Sequence, residues 1–390
     1  MFHVKRKNLL AIGVLLLFAT LVVGCGKARS SRGWAAPVKT DSYLLVSGGK
    51  GRLDGLDAST REEKWRFPRS WQIDDSKARD LTGIYGDPVV AKDGTVYLGD
   101  YNGRVYVFRP GDFKSDASDK PKAGVLNLDD PIIGGLALDE SNNLLFATAG
   151  KVLYSINTQD LITRIQNKDS SVKTSKLIET GGDLWSTPLF ANGKVYVGSL
   201  DGNLYAVDPT SGKEQWRFNA GKGIVSKPEI SSGTIYVGGF GGQLFAVDAS
   251  TGSQKWAFKA ESWVWSRPVV ANGKVYFGDF EGNLYALDPS NGEQTWSNNL
   301  GKGPIRSAVA VTSSTVVIAT ESGWLVGLSS DGKDKRWEKK IGTSINADLI
   351  LSGDSVILAP DGCVTADNEK SYYVSVNPSN GDLTRASGVC

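Results

Sequence analysis

The side chains in this chain that could do chemistry recur at a fixed interval. Asp208, Asp248 and Asp288 stand 40 residues apart, and so do Trp216, Trp256 and Trp296. A carboxylate can act as a general base or bind a cation, and an indole can stack on a ligand. The spacing argues for a plainer use. Each aspartate opens a turn that ends at Gly212, Gly252 or Gly292. Such a turn needs a side-chain acceptor for its N–H groups and a residue that tolerates the left-handed conformation. Trp65, Trp216, Trp256, Trp296 and Trp337 then read as packing between repeats, because one small sheet cannot bury both faces alone.

Imidazole chemistry is nearly absent. His3 is the only histidine and lies, with Met1, in the first 24 residues. There, Lys5, Arg6 and Lys7 precede an apolar or small run over 9–24, shorter than the roughly 20 residues a membrane span requires. Residues 1–24 are therefore expected to be a secretory signal peptide, with an N-terminal membrane anchor as the alternative. Once His3 leaves, Ser–His–Asp and Cys–His hydrolases and most zinc sites are excluded.

The run Leu21-Val22-Val23-Gly24-Cys25 resembles the bacterial lipobox. That implies diacylglycerol on Cys25, and two acyl chains suffice for stable anchoring. Residues 25–33 form a short tether whose Lys27, Arg29 and Arg32 either meet anionic headgroups or are simply solvated. The remaining cysteines, Cys363 and Cys390, read as a disulfide on the last repeat of an exported chain, with free thiols as the alternative. The formal net charge of +2 falls further when the three cations of the signal leave. No polybasic surface is implied, and no nucleic acid partner is expected.

Positioning these residues requires a repeated sheet. Over 185–218 the sequence predicts an inner strand at 185–190, a strand at 195–198, a hairpin at Asp201-Gly202, a return at 203–207 and an outer strand at 214–218. Four short antiparallel strands in about 40 residues make one blade of a β-propeller. Inner-strand markers at Pro37, Pro88, Gly135, Pro188, Pro228, Pro268, Ala308 and Ala347 divide residues 34–390 into eight blades and leave no second domain. The first unit places Arg61 where Gly212 sits, and the second has Arg109 in place of the turn aspartate. Residues 111–124 and 157–180 read as irregular polar stretches, and 361–370 as a loop. The glycine-rich run 238–242 reads as a hairpin and not a phosphate loop, since no helix follows it. Whether the leader donates a strand to close the ring stays open.

The stretch Ala206-Val207-Asp208-Pro209-Thr210-Ser211-Gly212-Lys213-Glu214-Gln215-Trp216 recurs at 246–256 and 286–296. It is similar to the tryptophan-docking motif of quinoprotein-type (PQQ-like) propellers, and the resemblance extends over about residues 34–388. That family holds pyrroloquinoline quinone (PQQ) alcohol and glucose dehydrogenases. It also holds non-catalytic, lipid-anchored, eight-bladed propellers of the BamB type, which serve outer-membrane β-barrel assembly. This chain lacks the adjacent-cysteine pair of many alcohol-oxidising members and any Asp-x-Asp-x-Asp-Gly calcium loop.

The resemblance therefore implies a monomeric, non-catalytic, membrane-anchored scaffold that binds protein and holds no cofactor. Its partner is expected to be a β-barrel insertase if the cell has an outer membrane, with the propeller facing the periplasm. Otherwise it is expected on the outer face of the plasma membrane. A PQQ-dependent dehydrogenase and an extracellular ligand- or glycan-binding propeller are the alternatives. The interaction rim is expected at Tyr85, Trp185, Lys227, Trp263, Trp265, Arg267 and Arg306, where non-repeating aromatic and basic residues precede the inner strands. The plainer alternative is that these tryptophans pack the neck of the channel.

Overall fold

Runs such as Val195-Tyr196-Val197 combine β-branched and aromatic residues, which suit a pleated surface and point alternately to its two faces. In the computed structural model these runs pair into eight four-stranded sheets, the blades of a β-propeller. The structure describes residues 35–48, 51–68, 81–113, 123–167, 171–361, 364–366, 369–371 and 373–385. Cys25, Cys363 and Cys390, with the expectations placed on them, lie outside the described residues. Among the described residues no helix is long and apolar enough to cross a membrane.

Blade 4 shows the build. Its strands are Leu189–Ala191, Lys194–Gly198, Asn203–Val207 and Glu214–Asn219, with Leu189 opposite Tyr196, Tyr196 opposite Ala206 and Ala206 opposite Trp216. The hydrophobic core lies between blades and not at the axis. Eight buried clusters each join two sequential blades, among the described residues. Tyr196 packs toward blade 5 while Val195 and Val197 pack toward blade 3, as alternation requires.

Ring closure follows the same rule. Leu44, Val46 and Leu56 of blade 1 pack on Ile357, Ala359 and Tyr373 of blade 8, and the Arg61 guanidinium donates to Ser352 Oγ at 3.2 Å. The last sheet is built from Ile350–Ser352, Ser355–Leu358, Val374–Val376 and Leu383–Arg385, so the two ends meet by packing.

The recurrent residues lock the seams. Asp208 Oδ1 accepts the N–H groups of Thr210 and Ser211, and Asp248 those of Ser250 and Thr251. These N–H and hydroxyl donors hold both carboxyls below the ordinary range. Each tryptophan lies against the turn glycine of the following blade. A Cβ on Gly252 would fall 2.6 Å from Trp216, and one on Gly292 2.6 Å from Trp256. Trp216 Nε1 and the Tyr196 hydroxyl both donate to the Ala249 carbonyl, at 3.3 and 3.1 Å. Trp256 and Tyr236 share the Pro289 carbonyl in the same way, at 3.0 and 3.5 Å.

Of the five seams that carry a tryptophan, those of Trp65 and Trp296 depart from this pattern. Trp65 meets no turn glycine and packs edge-on against Phe108 and Phe113, 5.7 and 6.0 Å away. In blade 7 the turn reaches Gly332 from Ser329 one residue sooner than Gly292 is reached from Asp288. The carbonyl no longer meets the preceding blade, and Tyr276 Oη and Trp296 Nε1 are buried without a partner.

Several expectations are corrected by the register. Inner strands begin one residue after the proline, so blade 4 starts at Leu189 and not Trp185, because Pro188 has no N–H to give the ladder. Pairing places the third, seventh and eighth markers at Leu136, Val309 and Leu349, not at Gly135, Ala308 and Ala347. One extra residue between Leu300 and Ile305, compared with Ala260 to Val264, shifts blade 7. Within 157–180 lie the helix Thr158–Thr163 and the strand Thr174–Glu179. Asn157 caps the helix by accepting the Asp160 N–H at 2.9 Å, and the buried Leu161 anchors it on the blade 2–3 seam. Ala123–Asn127 supplies the outer strand of blade 2, and Val364–Ala366 pairs with Glu369–Ser371.

Removing the hydroxyl by Tyr196→Phe should lower unfolding free energy by about 1 kcal/mol. Tyr276→Phe should be neutral or stabilising, because its hydroxyl has no partner to lose. Urea titrations of the two variants check the contrast.

Candidate functional site

A repeat fixes most positions, so departures from it mark the surface that differs from blade to blade. Two adjacent layers at the inner ends of the blades carry such departures.

The first layer consists of the residue just before the inner-strand proline or its equivalent. Aligned by strand pairing, it reads Ala36, Asp87, Gly135, Thr187, Lys227, Arg267, Ala308 and Asp348 from blade 1 to blade 8. Lys227 Nζ donates to Asp87 Oδ2 at 3.0 Å, linking blades 5 and 2. Arg267 Nε donates to Asp348 Oδ2 at 2.8 Å, linking blades 6 and 8, and its Nη1 donates to Glu229 Oε2 at 3.0 Å. Contacts between non-neighbouring blades must run across the axis. The second oxygens of the two aspartates accept backbone N–H groups, Ala36 to Asp87 at 2.8 Å and Ala308 to Asp348 at 2.6 Å.

Burial pushes the Asp87 carboxyl up, but the Lys227 ammonium, the Ala36 N–H and the Arg267 guanidinium outweigh it and hold it below the usual carboxylate range. Burial opposes the charge on Arg267 too, and Asp348, Glu229 and Asp87 overcome it. Blades 2 and 5, and blades 6 and 8, are therefore tied together across the axis by an ion-pair lock. Lys227 and Arg267, expected on the rim, belong to this lock.

The second layer forms the mouth, from the loops before the inner strands and the tips of the middle hairpins. Trp185, Trp265 and Arg306 occupy one equivalent position in blades 4, 6 and 7. Trp185 and Trp265 approach to 6.3 Å between ring centroids, spanning the smaller Val225 of blade 5. Phe240 and Phe280, at hairpin tips, complete the cluster: Phe240 lies 5.1 Å from Trp263 and 5.6 Å from Trp265, and Phe280 lies 5.5 Å from Trp263. All five rings are half-buried.

The crown turns acidic toward blades 7 and 8. Arg306, only 7% exposed, covers the Trp265 ring at 4.1 Å and donates to Glu321 Oε1 at 3.3 Å. Burial works against its charge while Glu321 favours it. Asp361 accepts from the Asn346 amide, and burial raises its carboxyl above the ordinary range despite Asn346, Ser344 and Arg306. Tyr85 holds the equivalent position on blade 2 and packs against Tyr101, 5.6 Å away.

Of the expected rim residues, Trp185, Trp263, Trp265 and Arg306 thus come together, Tyr85 lies beside Tyr101 on blade 2, and Lys227 and Arg267 lie at the axis. The reading missed Phe240 and Phe280, though alignment of the hairpin tips Leu200, Phe240, Phe280 and Glu321 exposes them as variable. It also missed Asp87, Glu229 and Asp348 as partners of the two cations.

Removing one side of the lock leaves charge unpaired near the axis. Arg267→Ala should destabilise by about 3 kcal/mol, and Lys227→Ala by less, since it frees one carboxylate instead of two. The Asp87 contribution is complete above the unfolded carboxyl pKa near 4 and is lost as pH falls through the depressed folded value. The wild-type urea midpoint should therefore fall more steeply on acidification through that range than the Asp87→Asn midpoint.

Comparison with known proteins places the whole propeller. The family model described as "Outer membrane protein assembly factor BamB" matches residues 23–204, 200–348 and 280–384. A BamB of Legionella pneumophila (strain Paris) is 25% identical over 199 residues, 49% of this chain and 44% of that protein. A lupanine 17-hydroxylase [cytochrome c] of a Pseudomonas species is 25% identical over 232 residues, 55% of this chain and 31% of that enzyme. The chain thus spans less than half the length of these two relatives. Among solved structures, BamB from Moraxella catarrhalis aligns with a TM-score of 0.64 at 13% identity, covering 87% of this chain and 92% of that one. The computationally designed Ika8 protein aligns with a TM-score of 0.62 at 16% identity, covering 92% and 98%.

Proposed function

This chain belongs to the BamB family of propellers, and on that premise we propose that it is a non-catalytic, protein-binding scaffold held at the cell envelope by lipid on Cys25. In a cell with an outer membrane it faces the periplasm and serves the assembly of outer-membrane β-barrels. The observation that carries the reading is the crown. Trp185, Phe240, Trp263, Trp265 and Phe280 form a half-buried aromatic patch bordered by Arg306, Glu321 and Asp361. Aromatic anchors with a polar rim suit a protein interface, and these positions vary around the ring, as Trp185, Val225, Trp265 and Arg306 at one and Leu200, Phe240, Phe280 and Glu321 at the other.

The lupanine 17-hydroxylase match gives a reason to weigh a second reading, a quinoprotein dehydrogenase. Such an enzyme needs calcium-ligating acids and a carboxylate base near the axis. Here Asp87, Glu229 and Asp348 are held by Lys227, Arg267 and backbone N–H groups. Among the described residues no three of His, Cys, Asp and Glu group as metal ligands do. This donor set does not fit a quinone-calcium centre, and the non-catalytic reading is supported accordingly.

Crosslinking of the full chain in native membranes tests the scaffold role. A β-barrel insertase with soluble domains should be recovered, and Trp263→Ala with Phe240→Ala should reduce that recovery about tenfold or more while the circular dichroism stays unchanged. Undiminished recovery from the doubly substituted chain would move the interface elsewhere. Binding of PQQ with calcium, accompanied by dye-linked oxidation, would replace the scaffold reading with the enzyme.

A further inference from the structure

The outer edge of blade 7 carries charges that the repeat does not require. Its outer strand, Lys335–Lys340, needs only Trp337, whose Nε1 donates to the Pro378 carbonyl at 2.8 Å and whose ring lies against Gly381. Lys333, Lys335, Arg336, Lys339 and Lys340 are nevertheless all exposed around it. With Lys302 they face Asp331, Asp334 and Glu338, so cations outnumber acids two to one. The whole sequence is nearly balanced, 44 basic against 42 acidic residues, so this is a local concentration.

A second departure lies at the end of the same strand. Blades 4 and 6 join the third and fourth strands there by an asparagine pair, Asn219 to Asn203 at 3.0 Å and Asn299 to Asn283 at 2.6 Å. Blade 7 has Lys340 and Trp324 instead. Two ammonium groups lie over the Trp324 ring, Lys302 at 4.0 Å and Lys340 at 5.1 Å. Lys302 and Lys335 share Glu338, at 3.5 and 2.8 Å. The result is a continuous band, Lys335–Glu338–Lys302–Trp324–Lys340, that runs along the outer strand and its flank.

We infer that this band rests on an anionic phospholipid surface. The inference rests on the reading that Cys25 is lipid-anchored, which leaves ten residues, 25–34, before the first described residue. A tether of that length extends at most about 35 Å, and attraction between basic side chains and anionic headgroups acts within about a Debye length of the surface. An extended line of long, flexible cations with one amphipathic ring suits a flat, fluid, negative surface. Lysine heads reach headgroups while their stems and the indole stay at the interface. Contact through this edge sets the propeller on its side, with the aromatic crown turned along the membrane toward neighbours embedded in it.

Lysine acetylation footprinting of the full acylated chain tests this, read by mass spectrometry on phosphatidylcholine vesicles and on vesicles with 30 mol% phosphatidylglycerol (about the anionic fraction needed for a strong surface potential). Acetylation of Lys335, Lys339 and Lys340 should fall roughly five-fold on the anionic vesicles and recover at about 0.5 M salt. Lys92 and Lys213, exposed on blades 2 and 4, should label equally on both. Equal labelling of the blade 7 lysines on the two vesicle types overturns the inference, as does protection shared by Lys92 and Lys213. Stronger protection of the same lysines by duplex DNA without lipid overturns it in favour of nucleic acid. Flotation with phosphatidylcholine vesicles separately reports the anchor, and the protection ratio reads the blade 7 edge whether or not flotation occurs.

Discussion

At the seams where the motif is complete, the indole of one blade lies on the turn glycine of the next. Gly252, Gly292, Gly332 and Gly381 sit at positive φ beneath Trp216, Trp256, Trp296 and Trp337, and a Cβ on any of them would come within 2.6 Å of the ring. Two requirements meet on that residue, a left-handed turn and an unobstructed face. The exception at blade 1 supports this account. Arg61 holds the same left-handed conformation, and the outer strand of blade 8, Leu383–Arg385, has no tryptophan to lay on it. Where no ring docks, the space above the turn can hold a side chain, and Arg61 uses it to reach Ser352 across the closing seam.

Because each blade is covered by its two neighbours, stability is distributed as a sum of seams and not as one central core. Eight buried clusters carry it among the described residues. The inner ends of the strands are thereby released from packing duty. At the axis they hold charges that meet across the ring, and at the mouth they hold aromatics that meet only a few neighbours. A rigid ring is what lets Asp87 and Lys227, 140 residues apart, hold a 3.0 Å contact.

The same division explains what could be read from sequence. Tryptophan, aspartate and glycine at a period of 40 announce the blade because each answers a local steric demand that recurs in the copies where the motif is complete. Register failed where a loop changed length. Pro304 adds one residue before Ile305 and slides every marker after it, which periodicity alone does not detect. The helix Thr158–Thr163 was hidden in a polar stretch because only Thr158 and Leu161 of its residues are buried. Lys227 and Arg267 were correctly singled out as non-repeating, yet their partners lie on other blades, and sequence distance carries no trace of a contact made across a ring. Phe240 escaped notice because it sits in a glycine-rich hairpin whose tip is prominent only once Trp263 and Trp265 are seen beside it.

The locked axis also bears on how this propeller could work. In a ring whose inner strands converge, a cation-dependent site at the centre needs acidic groups left without basic partners. Here the charges of the first layer, two aspartates with one lysine and one arginine, are mutually engaged, and Glu229 adds to the same network. Opening the centre to a ligand would mean breaking contacts that join blades 2 with 5 and 6 with 8, at the cost of leaving charges unpaired in a partly buried place. The crown makes no such demand. Its rings are half-buried, and covering them with a partner removes apolar surface from water without disturbing any ion pair at the axis. The physical asymmetry between these two layers, one self-satisfied and one incompletely covered, is what the proposed scaffold role rests on.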